Sequence, residues 1–192
     1  MTNAPLVWLD TARHDGCRDT PYWGNEGEAE LIDDLVARLG LAHRTDPGGL
    51  VVITPYRKQA GILEAKGLRG RVHTVHSFQG GEAEVGIVSL VRSAVRGEGT
   101  RRNIGHTAQP EVVNVMLSRA RQLLVVVGDL AHFEQYGGAD WGTVIQAFRD
   151  SGVIVDAVTE DITGGRRAVL PPQRDETSEG AAGAMAAEDA GE

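Results

Sequence analysis

Two short segments carry side chains whose types and spacing suit phosphate chemistry. In Gln79-Gly80-Gly81-Glu82 a glycine pair follows a short apolar run. Such a pair lets a ligand approach the backbone closely, and the carboxylate two residues after the first glycine is able to accept hydrogen bonds from sugar hydroxyls. The alternative is an ordinary loop with a solvated glutamate, and short glycine motifs alone discriminate poorly between the two. In the second segment, Asn114 to Arg121, the spacing predicts one helix with Val112, Val115 and Met116 inward and Arg119 near its end. A guanidinium projecting across a cleft stabilises charge on a transferring phosphoryl group. The commoner fate of a single arginine is a surface position near a helix C-terminus.

A third set, Thr54, Pro55, Thr74, His76 and Ser77, falls at the ends of apolar runs. Small hydroxyls and backbone amides at such places hold phosphates without reading bases, or simply form turns and cap strands. Other chemistries are disfavoured. A phosphate-binding loop requires Gly-x-x-x-x-Gly-Lys-Ser/Thr, yet the only lysines are Lys58 and Lys66, and neither follows a glycine-rich turn. His73 and His76 suggest a metal pair, but residues three apart on a strand face opposite ways and no thiolate lies near, so no metal ligand is expected.

The elements that must position these residues are short apolar runs suited to buried strands: Leu6 to Leu9, Leu50 to Thr54, Val72 to Val75, Val85 to Val91, Leu123 to Gly128 and Val153 to Val155. Between them lie helical patterns at Glu28 to Leu39, Arg57 to Lys66, Glu111 to Arg121 and Trp141 to Asp150. Strands alternating with helices imply an α/β domain with a mainly parallel sheet between two helical layers. Function in such sheets gathers at loops leaving the carboxyl ends of strands, where Thr54-Pro55-Tyr56, His76 to Gly80 and the long Arg92 to Gln109 loop are expected. That loop carries Arg92, Arg96, Arg101 and Arg102.

At 192 residues, 41% hydrophobic and 24% charged, the chain suits one globular domain plus a tail. The net charge of −8 is uneven: six acids against Arg174 lie between Pro171 and Glu192, which leaves −3 for the first 170 residues. Residues 171–192, rich in Pro, Ala, Gly, Ser and acids, are expected to form a disordered acidic tail. A near-neutral domain with a local basic face remains compatible with nucleic acid. One cysteine, Cys17, excludes an internal disulfide, and no apolar run approaches a bilayer span, so a cytoplasmic protein without membrane contact is expected.

Val72-His73-Thr74-Val75-His76-Ser77-Phe78-Gln79-Gly80-Gly81-Glu82 followed by Asn114-Val115-Met116-Leu117-Ser118-Arg119-Ala120-Arg121 resembles the last two signature motifs of superfamily 1 helicases, in the branch that includes RNA-surveillance and replication nuclease-helicases. Thr54-Pro55-Tyr56-Arg57-Lys58-Gln59 and Asn25-Glu26-Gly27-Glu28-Ala29 are similar to earlier segments of the same family, and the resemblance covers roughly residues 5–150. It implies a three-layer RecA-like, P-loop NTPase-like fold, with residues 1–160 forming the second RecA-like domain, incomplete at its N-terminus. It further implies Arg119 as a catalytic arginine finger, Gln79, Gly80 and Glu82 at the nucleotide, and Thr54, Pro55, Thr74, His76, Ser77 and Asn114 along single-stranded DNA or RNA. ATP and Mg²⁺ would be shared with a separate or missing lobe carrying the Walker motifs, which have no counterpart in this sequence. Two other readings stay open. One is a non-catalytic binding or interaction module from a truncated helicase. The other is a Rossmann-like enzyme, although no Gly-x-Gly-x-x-Gly follows the first strand.

Overall fold

The computed structural model describes residues 5–42, 48–78, 80–93 and 103–158. Six strands among them form one sheet: β1 (Leu6–Asp10), β2 (Leu50–Thr54), β3 (Val72–Thr74), β4 (Ala83–Ser89), β5 (Ala120–Gly128) and β6 (Gly152–Asp156). Their spatial order is β3-β2-β4-β5-β1-β6, and every pairing is parallel. All carboxyl ends therefore share one edge of the sheet.

Successive residues of a strand point to opposite faces, and both faces here are apolar. Val52, Ile87, Val125 and Val127 face one layer, α1 (Glu26–Arg38) and α2 (Arg57–Leu63), where they meet Ile32, Val36 and Leu63. Their neighbours Ile53, Val88 and Val126 face the other layer, α3 (Pro110–Leu117), α4 (Leu130–Tyr136) and α5 (Gly138–Ser151), and meet Met116, Phe133 and Phe148. The result is the expected three-layer, RecA-like α/β architecture. On the second face Trp8 meets Phe148 edge to face at 5.3 Å and Trp141 at 6.0 Å. Their indole N–H groups donate to Gly128 O and Thr107 O at 2.9 and 2.8 Å, so two large rings are buried without an unsatisfied donor.

Three departures from the sequence reading have physical causes. The helix expected over Glu111 to Arg121 stops at Leu117, and Ala120 already pairs with Ala83. Ala, Arg and Gln are good helix formers, but burial of the following apolar run in the sheet outweighs that local preference. Helix α4 falls where the sequence pattern placed no helix; Asp129 starts it by accepting from His132 N–H at 2.9 Å. Among the described residues the link from β3 to β4 contains no helix. Register sets Thr74 level with Thr54, while Ala83 lies at the far end of β4, so the chain returns from the carboxyl to the amino-terminal edge between β3 and β4. The acidic segment 171–192 and Arg96, Arg101 and Arg102 lie outside the described residues. No helix among the described residues is long and apolar enough to cross a membrane.

Phe148 is fully buried in the aromatic cluster. Phe148→Ala is predicted to lower the unfolding free energy by about 3–5 kcal/mol, a loss that urea denaturation would measure directly.

Candidate functional site

The site divides between the two edges of the sheet. At the amino-terminal edge, Ala83 N–H donates to Arg119 O at 2.9 Å, where β4 and β5 begin to pair. Glu82 and Arg119 are thereby adjacent on the backbone. Glu82 is exposed. Arg119 is half-buried, and its Nε is buried without a hydrogen-bond partner. A guanidinium has five donors and no acceptor, so an orphaned donor in this position suits an anion. Asn114 is exposed on α3, and its carbonyl accepts from Ser118 N–H at 3.1 Å, the last bond before the chain turns into Arg119.

The glycine pair has a role within the fold. Gly80 has φ +88°, in the left-handed region. A Cβ on Gly81 would lie 2.8 Å from the Phe78 ring, which packs on the core and against His73 at 4.8 Å. The pair thus lets the crossover turn tightly under Phe78 and delivers Glu82 to the amino-terminal edge. Gln79 lies outside the described residues.

At the carboxyl edge, Ser77 Oγ accepts from Thr74 N–H at 2.9 Å and donates to Thr74 O at 3.0 Å, closing a compact turn after β3. His76 and Ser77 are exposed, Thr74 and Pro55 are half-buried, and the His76 and His106 rings lie 5.5 Å apart. Thr54 is 0% exposed, and its hydroxyl accepts from Tyr56 N–H at 3.5 Å. Its side chain shapes the turn from within, leaving Pro55 and the Thr74 to Ser77 turn as the accessible part of this set. Thr54, Pro55 and the Thr74 to Ser77 turn lie at the carboxyl ends of β2 and β3. Glu82 and Arg119 instead occupy the opposite edge.

Arg92 is a correction. Read as part of an arginine-bearing loop, it is 1% exposed, with Nε 3.5 Å from Asp19 Oδ2 and an N–H donating to Asn103 O at 2.9 Å. No local pattern signals this burial, because Asp19 lies far from Arg92 along the chain.

Beneath the carboxyl edge is a buried polar network of Asn25, Glu28, Gln59, Ser89 and Val91. Asn25 caps α1 by accepting from Glu28 N–H at 3.1 Å and donates to Val91 O at 3.0 Å. The Glu28 carboxyl accepts from Val91 N–H at 2.9 Å and Ser89 Oγ–H at 2.7 Å. Gln59 accepts from Asn25 N–H at 2.7 Å and donates to Ser89 Oγ at 3.0 Å. Val91 is held at φ +70°, costly for a β-branched residue and sustained by these bonds. An asparagine three residues before a glutamate announces a helix cap in the sequence. Nothing local announces that the glutamate side chain turns instead toward β4.

A parallel α/β/α sheet with these motifs at its edges defines a RecA-like helicase domain. Residues 1–131 match the family described as an AAA domain, and the chain belongs to that family as a superfamily 1 helicase domain. It is 32% identical over 139 residues to the DNA-binding protein SMUBP-2 of Rattus norvegicus, covering 67% of this chain and 13% of that protein. It is 31% identical over 149 residues to the DNA polymerase alpha-associated DNA helicase A of Saccharomyces cerevisiae, covering 71% and 21%. Over 125 residues it is 28% identical to the DNA replication ATP-dependent helicase/nuclease JHS1 of Arabidopsis thaliana, covering 64% and 9%. The chain thus spans about a fifth or less of the length of these relatives.

Burial pushes the Glu28 carboxyl up from 4.5 to about 8, against the lowering effect of its bonds from Ser89 and Val91. The folded state holds this proton more tightly than the unfolded chain. Its contribution to stability is therefore complete below pH about 4.5, declines as pH rises and is lost once pH passes about 8. Denaturant titrations from pH 5 to 9 are predicted to show that decline in the unaltered chain relative to Glu28→Gln, which lacks the titrating group.

Proposed function

We propose that residues 1–160 form the C-terminal motor lobe of an ATP-dependent superfamily 1 helicase that acts on single-stranded DNA or RNA. The observation that carries the reading is the adjacency of Glu82 and Arg119, set by the 2.9 Å bond from Ala83 N to Arg119 O, with Arg119 Nε buried and unpartnered. In this reading a second lobe bearing the phosphate-binding loop faces the amino-terminal edge, with ATP held between the two. Glu82 accepts hydrogen bonds from ribose hydroxyls, Gly80 lies in the turn before it, and Gln79, outside the described residues, is a further nucleotide contact. Arg119 meets the γ-phosphate as the lobes close, neutralising charge that develops in phosphoryl transfer.

The donor set supports an anion at this edge and gives Mg²⁺ little of its own. No group of three His, Cys, Asp or Glu side chains suited to a metal occurs among the described residues. Magnesium would take its ligands from the phosphates and the second lobe, where it would offset phosphate charge. The carboxyl edge grips the strand through Pro55, Thr74, His76 and Ser77, with Thr54 supporting the turn from within and Asn114 as a further contact. These groups contact backbone without a base code, as a motor stepping along any sequence requires. With nucleotide at one edge and strand at the other, closure around ATP shifts the strand-holding edge against the second lobe.

The test is ATP hydrolysis by this chain combined with a lobe that supplies the phosphate-binding loop, in the presence of single-stranded DNA or RNA. Arg119→Ala is predicted to lower turnover by about 10³-fold or more while single-strand affinity is retained. Glu82→Ala is predicted to raise KM for ATP more than it lowers kcat. Turnover unaffected by Arg119→Ala would refute the finger assignment and favour a non-catalytic module.

A further inference from the structure

Tyr22 is 81% exposed, beside a Trp23 that is itself 37% exposed. Both are in the left-handed region, at φ +71° and +66°, a conformation that bulky side chains rarely adopt. Strain of this kind persists where surrounding contacts over-determine it, and it clusters at sites of function. The contacts are specific. Thr20 N–H donates to Gly24 O at 2.7 Å and Trp23 N–H to Thr20 O at 3.1 Å, closing the turn. A Cβ on Gly24 would lie 2.8 Å from Ile62, so the turn sits directly on α2. The Arg92 guanidinium carbon lies 4.3 Å over the Trp23 ring, and the Tyr56 ring lies 5.9 Å from it. Arg92 is in turn fixed by Asp19 at 3.5 Å.

Asp19, Arg92, Trp23 and Tyr56 thus build a pedestal that holds the Tyr22 turn out toward solvent. Tyr56 immediately follows Thr54-Pro55 at the carboxyl end of β2, which places this turn on the edge assigned to the strand. Arg57 and Lys58 are exposed next to it, and Lys58 Nζ lies 3.4 Å from Pro21 O.

We propose that Tyr22 is a stacking platform for a nucleobase of single-stranded nucleic acid, with Arg57 and Lys58 taking the flanking phosphates. A flat ring fits because every base has a π face, so stacking adds affinity without sequence preference, and a rigid turn loses little freedom on binding. The inference rests on the nucleic-acid reading above and adds a residue that the helicase motifs do not contain.

The experiment measures binding of the full chain to a fluorescent oligothymidylate of about twelve nucleotides, to a matched oligouridylate, and to an abasic strand with the same number of phosphates. Unaltered protein is expected to prefer the base-bearing strands over the abasic one. Tyr22→Ala is expected to weaken binding to the base-bearing strands by roughly tenfold and to leave the abasic strand nearly unchanged. Tyr22→Phe should keep the preference, which separates ring stacking from loss of the hydroxyl. The oligothymidylate and oligouridylate arms show whether DNA and RNA share the platform. A base preference that survives Tyr22→Ala would overturn the stacking role and leave the nucleic-acid reading standing. Binding of none of the three strands by the unaltered chain would overturn both.

Discussion

Parallel pairing of β4 with β5 brings the two halves of the candidate nucleotide edge together: Ala83 lies opposite Ala120, and an irregularity in register separates that pair from the central apolar run that begins with Val85 opposite Leu123. A slip of one residue would turn Ile87 and Val88 to the wrong faces and expose apolar surface across the middle of the sheet. Glu82 and Arg119 immediately precede those paired alanines. Their adjacency is set by that pairing and by the bond from Ala83 N–H to Arg119 O, at the margin of a sheet whose register the core holds. Such preorganisation suits electrostatic catalysis, in which groups must be in place before charge develops.

The opposite edge is stiffened by a different device. Asn25, Glu28, Gln59, Ser89 and Val91 tie the N-terminus of α1 to α2 and to the end of β4 through buried hydrogen bonds. A fully satisfied polar cluster in a low-dielectric interior resists rearrangement, since breaking one bond leaves its partner unsolvated. The chain leaves that cluster at Val91 and reaches Arg92, whose side chain supports Trp23. Rigidity thus passes from α1 to the surface turn at Tyr22. One edge of the sheet is fixed by strand pairing and the other by the polar cluster.

Much of this was legible in the sequence because it rests on local pattern. Apolar runs such as Leu50 to Thr54 announce buried strands, their alternation with helical periods announces a parallel sheet, and the spaced motifs around Gly80 and Arg119 carry the family likeness. What escaped depends on pairings distant in sequence. Helix propensity through Ala120 and Arg121 concealed the early start of β5. No local feature marks Arg92 as buried, since Asp19 and Trp23 enclose it only in the fold. Glu82 follows a strand that ends at the carboxyl edge, yet register alone shows that the crossover has carried it to the other side.

The central claim is that nucleotide and strand occupy opposite edges of one sheet. Its most direct test is mass-spectrometric mapping of photocrosslinks on this chain assembled with a lobe supplying the phosphate-binding loop, using a photoreactive single strand and a photoreactive ATP analogue in turn. The account predicts strand crosslinks in residues 20–24, 54–58 and 74–77, and nucleotide crosslinks in residues 80–83 and 118–121. Strand and nucleotide crosslinks falling on the same edge would contradict it.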